Sequence, residues 1–264
     1  MWSNSKKCAV ALTFDLDAES LWRSIGMGTP TPLSRGKYGP DVGVPRILAL
    51  LEKYSIQATF FVPGQVVDEH TDVVKEIYDH GHEIGHHGYA HEVTLGLALE
   101  DERKILQMGA ESIEKAIGKK PVGYRSPCWD LSPNSINLLL ESGFLYDSSM
   151  MGNDFHLYNI DKNGTKSSLV EVPVSWELDD APHFWFTWVV PNSNISAPSK
   201  VFEIWSAEFE GAHAEEGAFI LTMHPQIIGR FYRMQLLEKL IVYMKEHDDV
   251  WFTTCDGLVN AWQK

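Results

Sequence analysis

Gly81-His82-Glu83-Ile84-Gly85-His86-His87-Gly88-Tyr89-Ala90-His91-Glu92 is the stretch of sequence from which the fold prediction starts. Four of the chain's 11 histidines and two of its acidic residues fall within it. Such a density of side chains that bind metals is typical of a metal site. Two mutually exclusive sites fit the same residues, because each of them needs a different secondary structure.

The first candidate is the pattern H-E-x-x-H, formed by His82-Glu83-Ile84-Gly85-His86. In zinc peptidases this pattern lies on a helix, which brings both histidines to one face. The second candidate is the pair His87 and His91, also four residues apart, directly after an apparent strand.

The residues before the cluster favour the second pair. Glu69–His80 has the apolar stripe of a helix, and Gly81 stands where a helix commonly ends in glycine. We therefore predict that His82–His87 is a strand, in which H-E-x-x-H cannot work as a zinc motif. Gly85 supports this interpretation, because glycine inside a helix costs about 1 kcal/mol relative to alanine.

The composition limits the classes of protein to which the chain can belong. Its 264 residues suit one large domain, and a hydrophobic content of 44% supplies an ordinary core. The formal charge of −14 argues against binding to DNA or RNA, because the phosphates would be repelled. No apolar run approaches the ~20 residues that cross a bilayer, and the N-terminus has no signal-peptide core. We expect a cytoplasmic protein that binds neither nucleic acid nor membranes.

Strand-like and helix-like segments alternate through most of the chain. The strand-like segments are Cys8–Phe14, Ala58–Val62, His82–His87, Val122–Tyr124, Phe144–Ser148, Ser168–Val174, Ala218–Met223 and Val250–Thr253. This alternation predicts parallel strands joined by crossover helices. A G-x-G-x-x-G loop is absent after the first strand, which argues against a nucleotide-binding sheet. The predicted fold class is α/β, a distorted (β/α) barrel with about seven parallel strands, in a single domain over residues 1–264.

Three segments look irregular in the sequence. Glu19–Pro40 is rich in glycine and proline and much longer than a usual βα connection, which predicts a functional loop such as a lid. Asn153–Lys166 and Trp176–Ser199 show no clear period. The last segment carries the aromatic residues Trp176, Phe184, Trp185, Phe186 and Trp188.

Polar residues that could take part in catalysis or metal binding follow the carboxyl ends of the predicted strands. They are Asp15 and Asp17 after the first strand, His87 and His91 after the third, Arg125 after the fourth, and His224 after Ala218–Met223. In (β/α) barrels the functional side chains sit at this end of the strands. Taken singly, each has an ordinary structural explanation, such as a turn, a hydrogen bond or a surface ion pair. Their common position predicts that they meet at one mouth of the barrel.

Asp17, His87 and His91 form a three-ligand set of the kind that holds a catalytic metal with a position open for water. Such a metal lowers the pKa of its water towards ~7, and a base must then take the proton. Asp15, two residues before Asp17 on an extended strand, lies on the same side and could be that base.

Arg125 and His224 complete the predicted chemistry. A nearby guanidinium favours the ionised form of a carboxyl group, so Arg125 would keep Asp15 charged. His224, across the mouth, could protonate a leaving nitrogen. Together these residues predict metal-assisted hydrolysis of an amide.

The motifs also resemble a known family. Thr13-Phe14-Asp15-Leu16-Asp17, Gly81–His91, Gly123-Tyr124-Arg125-Ser126-Pro127 and Leu221-Thr222-Met223-His224-Pro225 are similar, in order and over most of the chain, to the motifs of the polysaccharide deacetylases. This is the NodB-homology group, carbohydrate esterase family 4.

The resemblance implies a distorted (β/α) barrel and a divalent metal, zinc first, with Mn²⁺, Co²⁺ or Ni²⁺ as alternatives. It implies that Asp15 is the catalytic base, that Asp17, His87 and His91 are the metal ligands, that Arg125 tunes Asp15, and that His224 is the general acid. It further implies that the backbone amide of Cys128 contributes to the oxyanion site. We assign Trp129 and Trp176 to the substrate side of the same site.

The chain departs from the family pattern at three positions. Leu16 separates two aspartates that are usually adjacent, Gly88 stands where a serine or threonine is usual, and Cys128 stands where an aromatic residue is frequent. With these departures, the sequence resembles an intracellular branch of the family, which includes peptidoglycan-deacetylase-like proteins and cyclic imide hydrolases. The resemblance therefore implies the fold and the chemistry more strongly than the substrate.

Three functions stay open at this point. The first is a deacetylase of N-acetylated amino sugars of the chitin or peptidoglycan type, and the second is a hydrolase of small cyclic imides, ureides or amides. The third is a non-catalytic carbohydrate-binding protein on the same fold. Nine tryptophans and an aromatic-rich segment also lead us to expect a homo-oligomer, a dimer or a tetramer.

Overall fold

The computed structural model describes residues 2, 5–162, 164–187 and 195–263. Within these residues nine strands form one sheet, in the order β6-β7-β5-β4-β3-β2-β1-β8, with β9 paired to β1. The strands are β1 (Cys8–Asp15), β2 (Thr59–Val62), β3 (Glu83–His86), β4 (Gly123–Tyr124), β5 (Tyr146–Asp147), β6 (Tyr158–Lys162), β7 (Thr165–Glu171), β8 (Ala218–Met223) and β9 (Val250–Phe252). The sheet curls into a half barrel, which confirms the predicted α/β class.

The helices connect these strands and cover the sheet. They are α1 (Ala18–Ser24), α2 (Pro30–Tyr38), α3 (Val44–Tyr54), α4 (Gly64–Glu69), α5 (Thr71–Asp79), α6 (Leu99–Ile117), α7 (Ser135–Glu141), α8 (Asp180–Phe184), α9 (Pro198–Ala214), α10 (Pro225–Ile228), α11 (Phe231–Lys245) and α12 (Cys255–Trp262). A π-helical turn at Gly39–Gly43 joins α2 to α3. In the described part of the chain, no helix is long and apolar enough to cross a membrane.

The centre of the sheet is the pair β1 and β8. Every residue of both strands is buried, as expected for parallel strands that are covered on both faces. Six register pairs, from Ala9↔Ala218 to Phe14↔Met223, bring the carboxyl ends of the two strands to the same level. Asp15, the last residue of β1, and His224, the residue that follows β8, therefore lie side by side.

Eight of the nine described strands run parallel, one more than predicted, and β6 alone is antiparallel. The expectation of an irregular Asn153–Lys166 was wrong, because β6 lies inside it and pairs with β7. The reason is its polar composition. Asp161 and Lys162 are exposed at the edge of the sheet, where a strand does not need an apolar pattern.

The expectation of a long loop over Glu19–Pro40 was also wrong, because α1 and α2 occupy most of it. Pro30 begins α2, which is where a helix accepts proline readily. Gly36 allows the two helices to touch, since a Cβ atom there would lie 2.4 Å from the carbonyl oxygen of Ala18. The proline and the glycine therefore start and pack a helix, and neither marks a loop.

The third predicted strand is confirmed. Gly81 has a positive φ of 83° just after α5, and β3 follows it. His82 accepts a hydrogen bond from the Ala58 amide at 3.1 Å, and His86 makes its own hydrogen bond to the Leu106 carbonyl at 3.0 Å. Both imidazoles are buried among backbone partners, so the H-E-x-x-H pattern has a packing role here.

The segment Trp176–Ser199 is only partly irregular. A 3₁₀ turn at Trp176–Leu178 and the short helix α8 occupy its first part. Residues 188–194, which include Trp188, lie outside the described residues.

Glu83 joins three elements at the end of the sheet opposite His87. Its carboxylate accepts hydrogen bonds from the Thr59 hydroxyl at 2.7 Å, the Tyr146 hydroxyl at 2.7 Å and the Asp256 amide at 3.0 Å. The last of these contacts lies in the first turn of α12, where a negative charge is favourable. Burial raises the pKa of Glu83, and the hydrogen bonds oppose that effect.

We expect Glu83→Ala to lower the free energy of unfolding by about 2–3 kcal/mol, because three donors lose their acceptor. Urea unfolding of the metal-free protein measures this change. Glu76→Ala, which removes an exposed carboxylate from α5, is the control and should change the stability by less than about 0.5 kcal/mol. A Glu83→Ala protein as stable as that control would contradict the assigned role.

Candidate active site

The carboxyl ends of the central strands surround a cavity of about 210 Å³. Among the residues that line it are Asp15, Asp17, His87, His91, Cys128, Trp129, Trp176 and His224. Arg125 lies behind this wall and is fully buried. All nine residues that the sequence predicted for the site are therefore in the cavity or in contact with its wall.

Asp17, His87 and His91 bring three potential ligand atoms together. Asp17 Oδ1 lies 3.5 Å from His87 Nε2 and 3.7 Å from His91 Nε2, and the three side chains are buried. The ligand atoms of the three residues all lie within 4.8 Å of one another. This spacing is close enough for one cation to contact all three.

The hydrogen bonds of His87 fix which of its nitrogens faces the cavity. His87 Nδ1 lies 2.7 Å from the Arg125 carbonyl oxygen, which can only accept, so Nδ1 carries the proton. Nε2 therefore presents a lone pair to Asp17 Oδ1, an atom that has no hydrogen-bond donor among the described residues. Two acceptors that face each other need a proton or a metal ion between them, and a carboxylate with two imidazoles is a donor set that fits a divalent metal.

The two imidazoles are in the protonation state that a metal ligand needs, whereas Asp17 would release a proton when a metal binds. Burial, reinforced by Asp15, raises the pKa of Asp17 to about 8 despite the nearby His224. Burial and the neighbouring imidazole of His87 lower the pKa of His91 to about 3, and burial also lowers that of His87. The imidazoles are thus neutral, as metal ligands must be.

The turn between the two histidines is held by Glu92. Its carboxylate accepts hydrogen bonds from the amides of Tyr89 at 3.0 Å and Ala90 at 2.8 Å. Gly88 and His91 both have positive φ, 73° and 58°. A glycine adopts this conformation without cost, whereas in His91 it is a strained conformation that the surrounding contacts maintain.

Asp15 is paired with Arg125. Arg125 Nη1 donates to Asp15 Oδ1 and to the Thr13 hydroxyl, both at 2.8 Å. Its other donors reach the carbonyl oxygen and the hydroxyl of Ser148 at 3.1 and 2.9 Å, and the guanidinium stacks 4.2 Å from the centre of the Phe61 ring. Every part of the charged group is therefore held in place.

The charge of Asp15 follows from this pairing. Burial alone would raise its pKa, but Arg125 and, to a smaller extent, His87 and His224 outweigh burial and lower the pKa. Asp15 is therefore a carboxylate in the physiological range.

His224 is oriented by two neighbouring acids. Its Nδ1 lies 2.7 Å from Asp180 Oδ1, its backbone amide donates to Asp180 Oδ2 at 3.1 Å, and Asp179 Oδ1 is 3.6 Å away. A parallel bridge between Asp179 and Thr222 brings this acidic pair beside the end of β8. Burial would lower the pKa of His224, but Asp179 and Asp180 raise it well above the usual value. Nε2 faces the cavity, 3.8 Å from Asp17 Oδ2.

Cys128 and Trp129 form another part of the cavity wall. Both have left-handed backbones, with φ of 57° and 56°, and the amide of Cys128 makes no hydrogen bond to any described residue. Trp129 is 8% exposed and stacks on Trp176, which is 45% exposed, with 4.4 Å between the ring centres. The cavity thus has a free backbone donor on one wall and an aromatic plane at its mouth.

Three contacts in the site were not predicted from the sequence. Asp180 supports His224, Ser148 supports Arg125, and the side-chain amide of Gln226 lies 3.3 Å from Asp17 Oδ2. Asp179 and Asp180 are adjacent in the sequence, but the contact of Asp180 with His224 spans 44 residues, and nothing in the sequence spacing points to it.

Comparisons with known proteins give one consistent family. The sequence model of the family described as polysaccharide deacetylase matches residues 3–146. A peptidoglycan deacetylase of Helicobacter pylori is 33% identical over 98% of this chain and 98% of its own.

Solved structures agree with this comparison. A Mycobacterium smegmatis protein named "putative polysaccharide deacetylase" is 40% identical, with a TM-score of 0.93, over 98% of this chain and 91% of its own. The PuuE allantoinase is 24% identical with a TM-score of 0.85, over 99% of this chain and 92% of its own. At that identity the allantoinase is similar in fold alone.

We expect Zn²⁺ to stabilise the chelator-treated protein, by about 2.7 kcal/mol when the metal is at 100 times its dissociation constant. The His87→Ala variant should lose this stabilisation, because one of three ligands is removed. Thermal unfolding with and without the metal, together with the metal content after dialysis, measures both effects.

The control is His82→Gln, whose amide oxygen can still accept the Ala58 amide proton. It should bind the metal as the unmodified protein does. Loss of metal from His82→Gln and its retention by His87→Ala would overturn the assignment of the ligands.

Proposed function

Since the chain belongs to the polysaccharide deacetylase family, we propose that it is a metal-dependent hydrolase that removes acetyl groups from N-acetylated amino sugars, of the peptidoglycan or chitin type. One observation carries the proposal. A buried set of metal-ligand atoms, a carboxylate held ionised by Arg125 and an imidazole held by Asp180 face the same small cavity.

In this proposal Asp17, His87 and His91 hold the divalent metal, which we expect to be zinc, with Mn²⁺, Co²⁺ or Ni²⁺ as alternatives. A metal of this kind supplies Lewis acidity, both to a water molecule and to the acyl oxygen. Gln226, which donates to Asp17 Oδ2, would fix the orientation of the carboxylate.

Asp15 acts as the general base and accepts the proton of the attacking water on a carboxylate oxygen. Arg125 occupies Oδ1 at 2.8 Å, which leaves Oδ2 for that proton, 3.9 Å from His87 Nε2. Because Arg125 keeps the carboxylate ionised, Asp15 is ready to accept a proton at neutral pH.

His224 acts as the general acid and donates a proton from Nε2 to the leaving nitrogen. Asp180 accepts the hydrogen on Nδ1 and so stabilises the imidazolium, as a buried carboxylate does in other acid–base pairs. The proton that leaves is on the nitrogen that faces the cavity.

The amide of Cys128 donates a hydrogen bond to the acyl oxygen as negative charge develops there. The stacked rings of Trp129 and Trp176 offer an apolar face to a sugar ring at the mouth of the cavity.

A second candidate is the hydrolysis of a small cyclic imide, ureide or amide. The cavity volume favours keeping it, because about 210 Å³ is less than the roughly 300–1,000 Å³ of pockets that enclose drug-sized ligands. An acetamido group or a small ring fits such a volume, whereas the rest of a glycan would lie outside it. The predicted homo-oligomer and cytoplasmic location stay predictions.

The experiment that tests the proposed function is the release of acetate from chito-oligosaccharides and muropeptides by the metal-loaded protein. Ring opening of succinimide-like compounds is followed in parallel. Acetate release supports the proposal, ring opening alone supports the second candidate, and sugar binding without turnover of either substrate supports a non-catalytic protein.

We expect Asp15→Asn to lower kcat by about 1,000-fold or more, because the base is lost while the amide keeps a similar shape. The metal content should stay that of the unmodified protein, since Asp15 is not among the proposed ligands. A variant that keeps more than a tenth of the activity would contradict the role of Asp15 as the base.

Asp180→Asn should lower kcat by roughly 10²–10⁴-fold with a smaller change in KM, because the imidazole loses its carboxylate partner and can adopt the wrong tautomer. Steady-state kinetics on the same substrate separate the two constants. Glu177→Gln, an exposed change three residues earlier, is the control and should leave both constants unchanged. Equal kinetics for the two variants would remove Asp180 from the mechanism.

A further inference from the structure

Two buried carboxyl groups next to the site have no part in the chemistry proposed above. Asp147 ends β5 and Glu171 ends β7, and the two residues are partners in the register of these parallel strands. Neither side chain is exposed to solvent. Among the described residues, the nearest guanidinium is that of Arg125, which bonds to Ser148 and makes no ion pair with either carboxyl group.

Two adjacent carboxylates without a cation cannot both be ionised in a buried position. Burial raises the pKa of both groups. The neighbouring Asp147 raises the pKa of Glu171 further, well above the usual value, whereas the hydrogen bond with Glu171 lowers the pKa of Asp147 and so opposes its burial. Glu171 Oε2 is buried and has no donor facing it, whereas Oε1 has two. A proton on Oε2 would satisfy that atom and could be donated to Asp147.

The pair holds the backbone that follows β5. Glu171 Oε1 accepts hydrogen bonds from the amides of Ser149 at 3.0 Å and Met150 at 2.9 Å. Asp147 accepts from the Ser149 hydroxyl at 2.8 Å and from the Ser149 amide at 3.2 Å. Four hydrogen bonds thus fix a turn of three residues.

The same turn supports two parts of the site. Ser148 accepts two hydrogen bonds from Arg125, which in turn holds Asp15. The Ser149 hydroxyl accepts a hydrogen bond from the Ser126 amide at 2.9 Å, at the start of the turn that carries the amide of Cys128. The general base and the oxyanion donor are therefore both attached, through one side chain each, to residues that the pair fixes.

We propose that Asp147 and Glu171 are positioning residues, which share one proton and hold the turn Ser148–Met150 so that Arg125 and the Ser126–Cys128 turn are correctly oriented. The inference rests on the proposed function, because catalysis is one of its readouts. In this inference Asp147 and Glu171 lie behind the site, act through Arg125 and do not contact the substrate.

The titratable groups next to Asp147 and Glu171 do not offer a positive charge that would make the shared proton unnecessary. Burial, together with the charges of Glu171 and Asp147, raises the pKa of Tyr158 on β6 to about 12. Tyr158 is therefore neutral in the physiological range. Burial also raises the pKa of Tyr124 on β4, which lies near Asp147. Arg125 is separated from the pair by its hydrogen bonds to Ser148.

The test compares Glu171→Ala with Glu171→Gln in the metal-loaded full chain. The alanine removes the acceptor of two amides, and we expect kcat to fall roughly 10- to 100-fold while KM changes less than threefold and the metal content is unchanged. Glutamine can accept from the same amides and donate to Asp147 without a titrating proton. It should restore kcat to within about threefold of the unmodified protein.

Unfolding by urea from about pH 6 to about pH 10 is the second readout. A carboxyl group whose pKa is raised in the folded state contributes stability at low pH, and this contribution is lost as the pH rises through the folded-state pKa. The unmodified protein should therefore lose stability towards alkaline pH, and Glu171→Gln should lose less. Asp161→Asn, an exposed change on the adjacent strand β6, is the control and should keep the slope of the unmodified protein.

Three results would overturn the inference. If kcat of Glu171→Ala is unchanged, the pair has no positioning role. If the stability of Glu171→Gln falls towards alkaline pH as steeply as that of Asp161→Asn, the pair does not share a proton. If the unmodified chain hydrolyses no amide, the proposed function fails by itself. In that case the unfolding slopes still decide the shared proton, and a crystal structure of Glu171→Ala in which Arg125 keeps both contacts with Ser148 overturns the positioning role.

Discussion

The buried ion pair between Arg125 and Asp15 is the interaction on which the rest of the site depends. A guanidinium that is 0% exposed is stable only if its charge and its donors are matched, and Thr13, Asp15 and Ser148 supply that match from β1 and from the end of β5. The pair therefore ties together strands that are distant in the chain. It also sets the electrostatics, because one positive charge keeps a buried carboxylate ionised in an acidic protein.

At Asp17, in contrast to Asp15, one buried carboxylate oxygen has no donor among the described residues. There the fold buries a carboxylate oxygen and two imidazole nitrogens against one another without a donor among the described residues. Unmatched acceptors are costly to bury, and proteins retain them where a ligand completes them. The two aspartates are two residues apart in the chain, yet Arg125 pairs with Asp15, whereas Asp17 Oδ1 has no donor among the described residues. This difference is the basis for proposing Asp15 as the base and Asp17 as a metal ligand.

Sequence patterns predicted the parallel core and the six polar residues at the strand ends because those features depend on local signals, whereas Cys128 was added through the family resemblance. Fully apolar strands, a glycine after a helix, and polar residues just after strand ends can all be recognised without tertiary information. Asp180, Ser148 and Gln226 could not be recognised, because each acts through a contact far away in the chain. The predictions of a loop around Gly36 and of an irregular segment at β6 were wrong for a related reason. A glycine that permits helix contact looks like a loop glycine, and a polar edge strand looks like a loop.

The ladder of six residue pairs between β1 and β8 has a consequence for how such a protein can change over evolutionary time. The proposed proton acceptor, Asp15, ends β1, and the proposed proton donor, His224, follows β8, and every residue of both strands is buried. A substitution in a buried strand costs stability more often than one on the surface. The surfaces that would touch the remainder of a substrate lie on short turns around Trp129 and Trp176 instead. Substrate preference can therefore drift through changes in these turns while the spacing of the reacting groups is inherited unchanged.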